Sequence, residues 1–377
     1  MSIKLKLRST IATDLLVGVD LGTSAIKIVH PTTDEKYRIL SVVGEVPPEG
    51  ALEALSLKRG VASNIEYQSS ERNFLLGEAA RLHSPAPRWF MYRGFASRED
   101  FDFAVDAIKA SIAILTPFKR KHERLRVKLI VGVPATFDVS YARDFKKKLL
   151  DASPHEFTVR HCATGVSKQV SLHIIDMLLP YQSLGSLYSY CTRNQKDDFS
   201  GTVIDVGFGL TNVCAFESLT PIKAACVTIP KAVGDIALHI RENLIRRGGG
   251  ADIPGVFAIG DLLKDKAPVL QTRSLGPVNL AEEIEKATLF VGQELWRETS
   301  FYVDKVLGSP ASSQLIITGG GGTENLLGKY LKSNYSQLNT ILLNDIFANA
   351  DGLMLSARDL WAKEEGVIEG EPPSEQQ

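Results

Sequence analysis

A duplicated turn constrains this chain more than any other feature. VGVDLGTSAIKIV (17–29) and TVIDVGFGLTNVCAF (202–216) share one layout, with Asp20 and Asp205 lying 185 residues apart and Gly22 and Gly207 at the same interval. In each copy an apolar run ends in an aspartate, an Asp-x-Gly turn follows, and a second apolar run begins. Apolar runs flanking a small-residue turn predict two strands in a hairpin. One such hairpin reads equally well as an ordinary turn, because Asp and Gly are common turn residues. Two matched copies are far more specific, and they predict two similar domains facing each other.

The chemistry of such a pair is coherent. Gly22, Thr23 and Ser24 let a ligand approach the backbone, whose N–H groups can cradle a phosphate. The turn around Gly207, Phe208 and Gly209 offers the same from the other side, so the two turns can clasp a phosphate chain. A carboxylate beside a phosphate needs a cation between them. Asp20 and Asp205 can hold a hydrated Mg²⁺, which keeps most of its waters. Lys27, on the second strand of the first hairpin, reads either as a cation aimed at the phosphates or as a surface lysine on an edge strand. A third turn, Gly319 to Gly322, follows the apolar run LIIT. It reads as backbone against which a base or ribose lies flat, or as a flexible strand-to-helix connection. The chain lacks a GK[ST]-ending phosphate loop and a GxGxxG opening the first helix, so neither the P-loop nor the dinucleotide fold is supported.

A length of 377 residues gives room for two or three domains. The formal net charge of −1 argues against broad nucleic-acid or membrane-surface binding. Basic runs at Lys119–His122 and Lys146–Lys148 read as solvated faces. Cys162, Cys191, Cys214 and Cys226 show no CxxC spacing, which predicts buried free thiols in a reducing compartment and no zinc site. MSIKLKLRST at the start lacks the apolar stretch of a signal peptide, and no apolar run reaches membrane-spanning length. The expected location is the cytoplasm.

Along the chain, a third strand is expected over 37–43, then strands over 127–133, 157–161, 201–206, 211–216, 224–229 and 314–318. Helical spacing predicts helices over 101–115, 140–150, 232–246, 280–307 and 346–361, with another beginning at 326. Residues 167–190 read as a long helical region broken at Pro180 and Gly185. Residues 251–278 read as loop-rich with a helical piece at 256–264. The segment 83–98, carrying Trp89, Phe90, Met91, Tyr92 and Phe95, reads as a partner surface or as aromatics packed under a loop.

DLGTSAIK (20–27), DVGFGLTN (205–212) and ITGGGG (317–322), in that order, resemble the actin-like ATPase superfamily over residues 14–360. Within it, NFLLGEAA (73–80), VGVP (131–134), LPYQSLGS (179–186) and FANADGL (347–353) are most similar to prokaryotic plasmid-segregation actins of the ParM type and their archaeal relatives. The resemblance implies a duplicated α/β fold of the ribonuclease H-like class, two domains around a central nucleotide cleft. It implies a first domain over 14–165 with an inserted subdomain at about 45–125. A second domain is implied over 166–345 with an insert at about 247–279, then a helix over 346–362 returning to the first. The composition of 363–377, rich in Glu and Pro, predicts a disordered tail.

By the same resemblance, Asp20, Gly22, Thr23, Ser24 and Lys27 fall on the first phosphate loop, and Asp205, Gly207, Phe208 and Gly209 on the second. Gly319, Gly320 and Gly321 fall on the adenosine turn. Glu283 and Lys286 fall near the adenosine and ribose, with a helix-surface ion pair as the competing reading. Gln182, after Pro180 and Tyr181, is the implied water-positioning residue, one residue further from its proline than usual. The implied ligands are ATP or GTP with Mg²⁺ held by Asp20 and Asp205. The implied function is an ATPase that polymerises with itself and segregates DNA through a DNA-bound adaptor, without direct nucleic-acid or membrane contact. The alternatives are a sugar-type kinase of the same fold and a non-hydrolysing scaffold of cell division or pilus assembly.

Overall fold

The computed structural model describes residues 14–48, 64–118, 121–265, 267–307, 314–322 and 327–364. Its chain begins with three antiparallel strands, β1 (Leu15–Leu21), β2 (Ala25–Val29) and β3 (Lys36–Leu40), as the opening hairpin predicts. Shorter strands follow: β4 (Val42–Gly44), β5 (Asn64–Gln68), β6 (Asn73–Gly77) and β7 (Arg88–Trp89), with α1 (Glu78–His83) between the last two. Helix α2 (Arg98–Ala113) starts at Ser97, whose hydroxyl accepts from the Asp100 N–H and so satisfies a free helix-end donor. Then come β8 (His122–Gly132), α3 (Val139–Phe145), β9 (His155–His161) and β10 (Ser167–Leu178). All ten strands form one sheet in the order β3-β2-β1-β8-β10-β9-β5-β6-β4-β7.

Helix α4 (Gln182–Arg193) leads to the second sheet. That sheet comprises β11 (Gly201–Val206), β12 (Thr211–Glu217) and β13 (Thr220–Ile229), and later strands complete it. Between lie α5 (Val233–Leu244), α6 (Val256–Leu262), the small hairpin β14 (Val269–Thr272) and β15 (Gly276–Asn279), and the long α7 (Ala281–Leu307). Strand β16 (Gln314–Thr318), α8 (Leu327–Asn334), β17 (Asn339–Leu342) and α9 (Ala348–Glu364) finish the chain. The order is β13-β12-β11-β16-β17.

The duplication read from the turns extends to whole sheets. In the first sheet β3, β2 and β1 are antiparallel neighbours, and β8 and β10 then add in parallel. In the second, β13, β12 and β11 are antiparallel and β16 and β17 add in parallel. Among the parallel strands, β1, β11 and β16 are buried on both faces over most of their length, which suits their runs of Val, Ile and Leu, whereas β10 and the first half of β8 bury alternate residues.

One expectation is overturned. Residues 167–190 are not one broken helix: β10 runs to Leu178, and α4 starts only at Gln182. The reason is a period of two, since Lys168, Val170, Leu172 and Ile174 are buried while the residues between them face outward or lie half-buried. Strand β10 lies between β8 and β9, so the first sheet continues past residue 165. The aromatic segment packs inward, with Phe90 and Met91 buried. Several expectations reach beyond the described residues: the start at 1–13, residues 49–63 of the first insert, 119–120 of a basic run, 266 of the second insert, 308–313 and 323–326 of the second domain, and the tail beyond 364.

Helix α9 returns to the first sheet and packs on β1 and α4. Its crossing with α4 is backbone against backbone. A Cβ on Gly352 would lie 1.6 Å from the Gly185 carbonyl oxygen, and one on Gly185 would lie 2.3 Å from the Asn349 carbonyl oxygen. Only glycine fits, and the close approach carries Asn349 to the boundary between the sheets.

Candidate functional site

The two predicted turns meet. In the first, the Gly22 N–H donates to the Asp20 carbonyl at 3.1 Å, and in the second the Gly207 N–H donates to the Leu210 carbonyl at 2.9 Å. Across the gap between the sheets, the Gly209 N–H donates to Thr23 Oγ1 at 2.9 Å. A cavity of about 430 Å³ opens over this junction. Asp20, Gly22, Thr23, Ser24 and Lys27 line one wall, and Gln182 lies at its base. Asp205, Gly207, Phe208, Gly319 and Gly320 line the other.

Gln182 is the first residue of α4, and its backbone is fixed before its side chain is considered. Its N–H donates to the Val133 carbonyl at 2.9 Å, which ties the start of α4 to the end of β8. Its amide nitrogen donates to Asp20 Oδ1 and to the Leu21 carbonyl, both at 3.0 Å. Its Oε1 accepts from Asn212 Nδ2 at 3.1 Å. Asn212 is oriented in turn, because its Oδ1 accepts from the Ala135 N–H at 3.1 Å and from Thr228 Oγ1 at 2.8 Å. With that oxygen occupied, the Asn212 NH₂ must face Gln182, and the Gln182 NH₂ must face Asp20. Lys27 Nζ holds the other Asp20 oxygen at 2.9 Å.

Asp205 is held differently. Its Oδ2 accepts from Asn349 Nδ2 at 2.9 Å. Asn349 Oδ1 accepts from the Ser186 hydroxyl, which also contacts Thr318 Oγ1 at 3.0 Å. Burial first, and the nearby Asp20 carboxylate second, push the Asp205 carboxyl up to about 6. The third turn is pressed against this carboxylate. Gly319 has φ +86°, and a Cβ there would meet Asp205 Oδ1 and the Val206 carbonyl oxygen, each at 2.4 Å. The Gly321 N–H donates to that same carbonyl at 2.9 Å. Gly320 has open space around it and faces the cavity.

No family model and no curated protein matches the chain. Solved structures do. A 15-stranded ParM filament from Clostridium botulinum matches with a TM-score of 0.72 at 16% identity, over 92% of this chain and 99% of that one. An archaeal actin homologue in complex with ADP matches at 0.64 and 16% identity, over 92% and 99%. ParM from Bacillus thuringiensis with ATP matches at 0.64 and 15% identity, over 93% and 99%.

The chain has an actin-like fold.

Within that actin-like fold not every expected residue reaches the cavity. Gly209 and Gly321 support the turns from behind, through Thr23 and Val206. Glu283 and Lys286 lie off the cavity walls. Glu283 accepts from Arg247 Nη1 at 2.9 Å, and the exposed Lys286 pairs with Glu282 at 2.5 Å, one helical turn away. Phe208 stacks on Phe257 of α6 at 4.7 Å between ring centres, and Phe257 stacks on Trp89 of the first sheet at 3.6 Å and 2°. The aromatic segment is therefore a contact between the two jaws of the cleft.

The donor set in the cleft bears on a metal. Among the described residues no group of three or more His, Cys, Asp or Glu side chains converges. Asp20 and Asp205 are a buried carboxylate pair, each within the other's field. Two hard oxygen donors fit a Mg²⁺ that keeps most of its water, and do not fit a zinc or a fully caged calcium. Among the described residues no helix is long and apolar enough to cross a membrane, and all four cysteines are free thiols.

Sequence reasoning missed Asn212 and Asn349 as holders of the site. The signal for Asn212 was present: it stands seven residues after Asp205, as Lys27 stands seven after Asp20. For Asn349, the close approach of Gly185 and Gly352 is a three-dimensional fact with no local pattern.

Proposed function

We propose that the protein is a nucleotide-dependent ATPase that polymerises with itself, working in the cytoplasm as a segregation or cytoskeletal filament. The observation that carries this is the direct bond between the two glycine turns, Gly209 N–H to Thr23 Oγ1, with Gln182 spanning Asp20 and Asn212 beneath it. A ligand seated there touches both jaws at once. The phosphate chain of ATP, or of GTP, would lie between the turns and accept from their N–H groups. Lys27 would share its charge between Asp20 and the phosphates. Mg²⁺ held by Asp20 and Asp205 would neutralise phosphate charge there. Gln182 Oε1 uses one acceptor position on Asn212, leaving its second for the attacking water. A glutamine orients water but removes no proton, which suits slow, switch-like hydrolysis. Loss of the terminal phosphate removes contacts that span the cleft, and so shifts the balance between closed and open forms.

Solved structures with this fold include a ParM filament, which supports self-assembly as the use of that switch. Head-to-tail contacts between copies give open helical assemblies. A net charge of −1 fits segregation through a DNA-bound adaptor better than direct DNA binding. The test pairs light scattering with phosphate release under Mg-ATP, Mg-GTP, Mg-ADP and no nucleotide. Scattering that rises only with a nucleoside triphosphate, with phosphate released and no added substrate, is the expected result. Phosphate transfer that requires a sugar, without scattering, identifies a kinase. Scattering without phosphate release identifies a scaffold.

A further inference from the structure

Above the glycine turns the cleft carries positive charge that the nucleotide reading leaves unused. Arg38 on β3 and Lys27 on β2 are direct cross-strand partners, and both line the cavity. Lys264, two residues past the end of α6, lines the same cavity from the opposite jaw. Lys27 is committed to Asp20. Among the described residues, neither the Arg38 nor the Lys264 side chain makes a hydrogen bond or an ion pair.

The surrounding charges do not cancel them. Asp261 is the carboxylate within the field of both; like Arg38 and Lys264 themselves it is exposed to solvent, and it lies 3.6 Å from Arg81. Arg81 is also paired with Glu78. Burial lowers the Lys264 ammonium from its ordinary value, and the Arg38 and Lys27 charges lower it further. Burial likewise lowers the Arg38 guanidinium, with Arg81 adding to the effect against Asp261 and Glu78. Exposed cations that line one cavity from opposite jaws, with no carboxylate bonded to either, repel one another until an anion arrives between them. A guanidinium fork and an ammonium from opposite sides are the donors a tetrahedral oxyanion takes.

We propose that Arg38 and Lys264 form a second anion subsite in the cleft, above the glycine turns, that takes a phosphoryl oxyanion between the two jaws. This rests on reading the lower cleft as the nucleotide site. The oxyanion has two chemical sources: orthophosphate released from the nucleotide, or a separate phosphorylated small molecule. In either case it bonds one jaw through Arg38 and the other through Lys264, so its departure removes a cross-cleft tie.

The test is calorimetric titration of the full chain with inorganic phosphate, and separately with glycerol 3-phosphate, each with and without saturating Mg-ADP. Wild type is expected to bind phosphate on top of Mg-ADP. Arg38→Gln and Lys264→Gln should each weaken that binding by about tenfold or more, the size of one lost charge-assisted hydrogen bond. Mg-ADP affinity should stay within about twofold in both variants, which also reports that they fold. Tighter Arg38-dependent binding of glycerol 3-phosphate assigns the separate small molecule, and tighter binding of phosphate assigns the released product. No phosphate binding to wild type, or binding in both variants as tight as in wild type, overturns the subsite. Failure of Mg-ADP to bind wild type, with Arg38-dependent phosphate binding retained, overturns the nucleotide reading and leaves the subsite standing.

Discussion

Lys27 and Asn212 hold the same place in the two halves of the molecule: each is the cross-strand partner of its strand-ending aspartate, Lys27 of Asp20 and Asn212 of Asp205. The two have diverged in chemistry. Lys27 turns its charge onto its own aspartate, while Asn212 reaches to Gln182 and fixes which end of that amide faces the other jaw. One copy of the repeat supplies a charge and the other an orientation.

Asn212→Ala should therefore slow hydrolysis more than it weakens binding. Gln182 Oε1 loses its partner, and its amide is free to rotate away from Asp20. A fall of about 10–100-fold in kcat is expected, the range of a displaced catalytic group. The same change orphans the Ala135 N–H and the Thr228 hydroxyl, at about 1–3 kcal/mol of stability. Single-turnover kinetics and denaturant unfolding check both. An unchanged kcat would show that Gln182 does not need this bond.

Asp205 gives a pH dependence with a definite sign. Its carboxyl titrates near 6 in the folded chain, against an ordinary value of 3.8. A raised acid means the folded state holds the proton more tightly than the unfolded state. This group's destabilisation is thus absent below about pH 4, grows between 4 and 6, and is complete above 6. In the nucleotide-free protein Asp205→Asn removes it. The variant's Tm should exceed that of wild type at pH 7–8, by up to roughly 3 kcal/mol in stability. The gap should close at pH 4. Thermal melts across pH 4–8 without Mg²⁺ measure this, and the variant should not hydrolyse nucleotide.

The crossing of α4 and α9 admits no side chain. Gly352→Ala places a methyl group inside a backbone carbonyl and should cost more than about 3 kcal/mol, or prevent folding. Gly255→Ala is the control, because a Cβ there meets nothing within 4 Å. Its Tm should match wild type within the error of a melt.

Trp89 and Phe257 join the jaws at the mouth of the cleft. Phe257→Ala removes a stacked pair worth about 0.5–1.5 kcal/mol beyond its buried area. Dissociation of a fluorescent ADP analogue should quicken by about two- to tenfold. Trp89 emission in the same variant should lose its response to nucleotide, with Trp89→Phe as the spectroscopic blank.

Much of this architecture was legible in the residues, for a physical reason. A turn of this kind is a local object: Asp, Gly and small side chains within five positions, after an apolar strand. Its repetition at Asp20 and Asp205 announced the duplication, and the sheets repeat it strand for strand. What escaped was not local. Strand β10 escapes because the adjacent apolar pair Ile174 and Ile175, at a bulge, breaks the alternation of apolar and polar residues near its end. Asn349 reaches the site only because two distant glycines let two helices touch. Glu283 and Lys286 carry plausible chemistry, but ion pairs on the flank of α7 engage both.

The contact between Gly185 and Gly352 has a mechanical consequence. A helix crossing padded by side chains has slack; one made of bare backbone is a fulcrum. Gln182, Ser186 and Asn349 all lie within one turn of it, on very short lever arms. Trp89 and Phe257 join the jaws outside that crossing, one ring beyond Phe208 of the second turn. A rotation wide enough to part those rings would move the amides at the base only slightly. Such a hinge can gape to exchange its contents while the aspartates keep their partners.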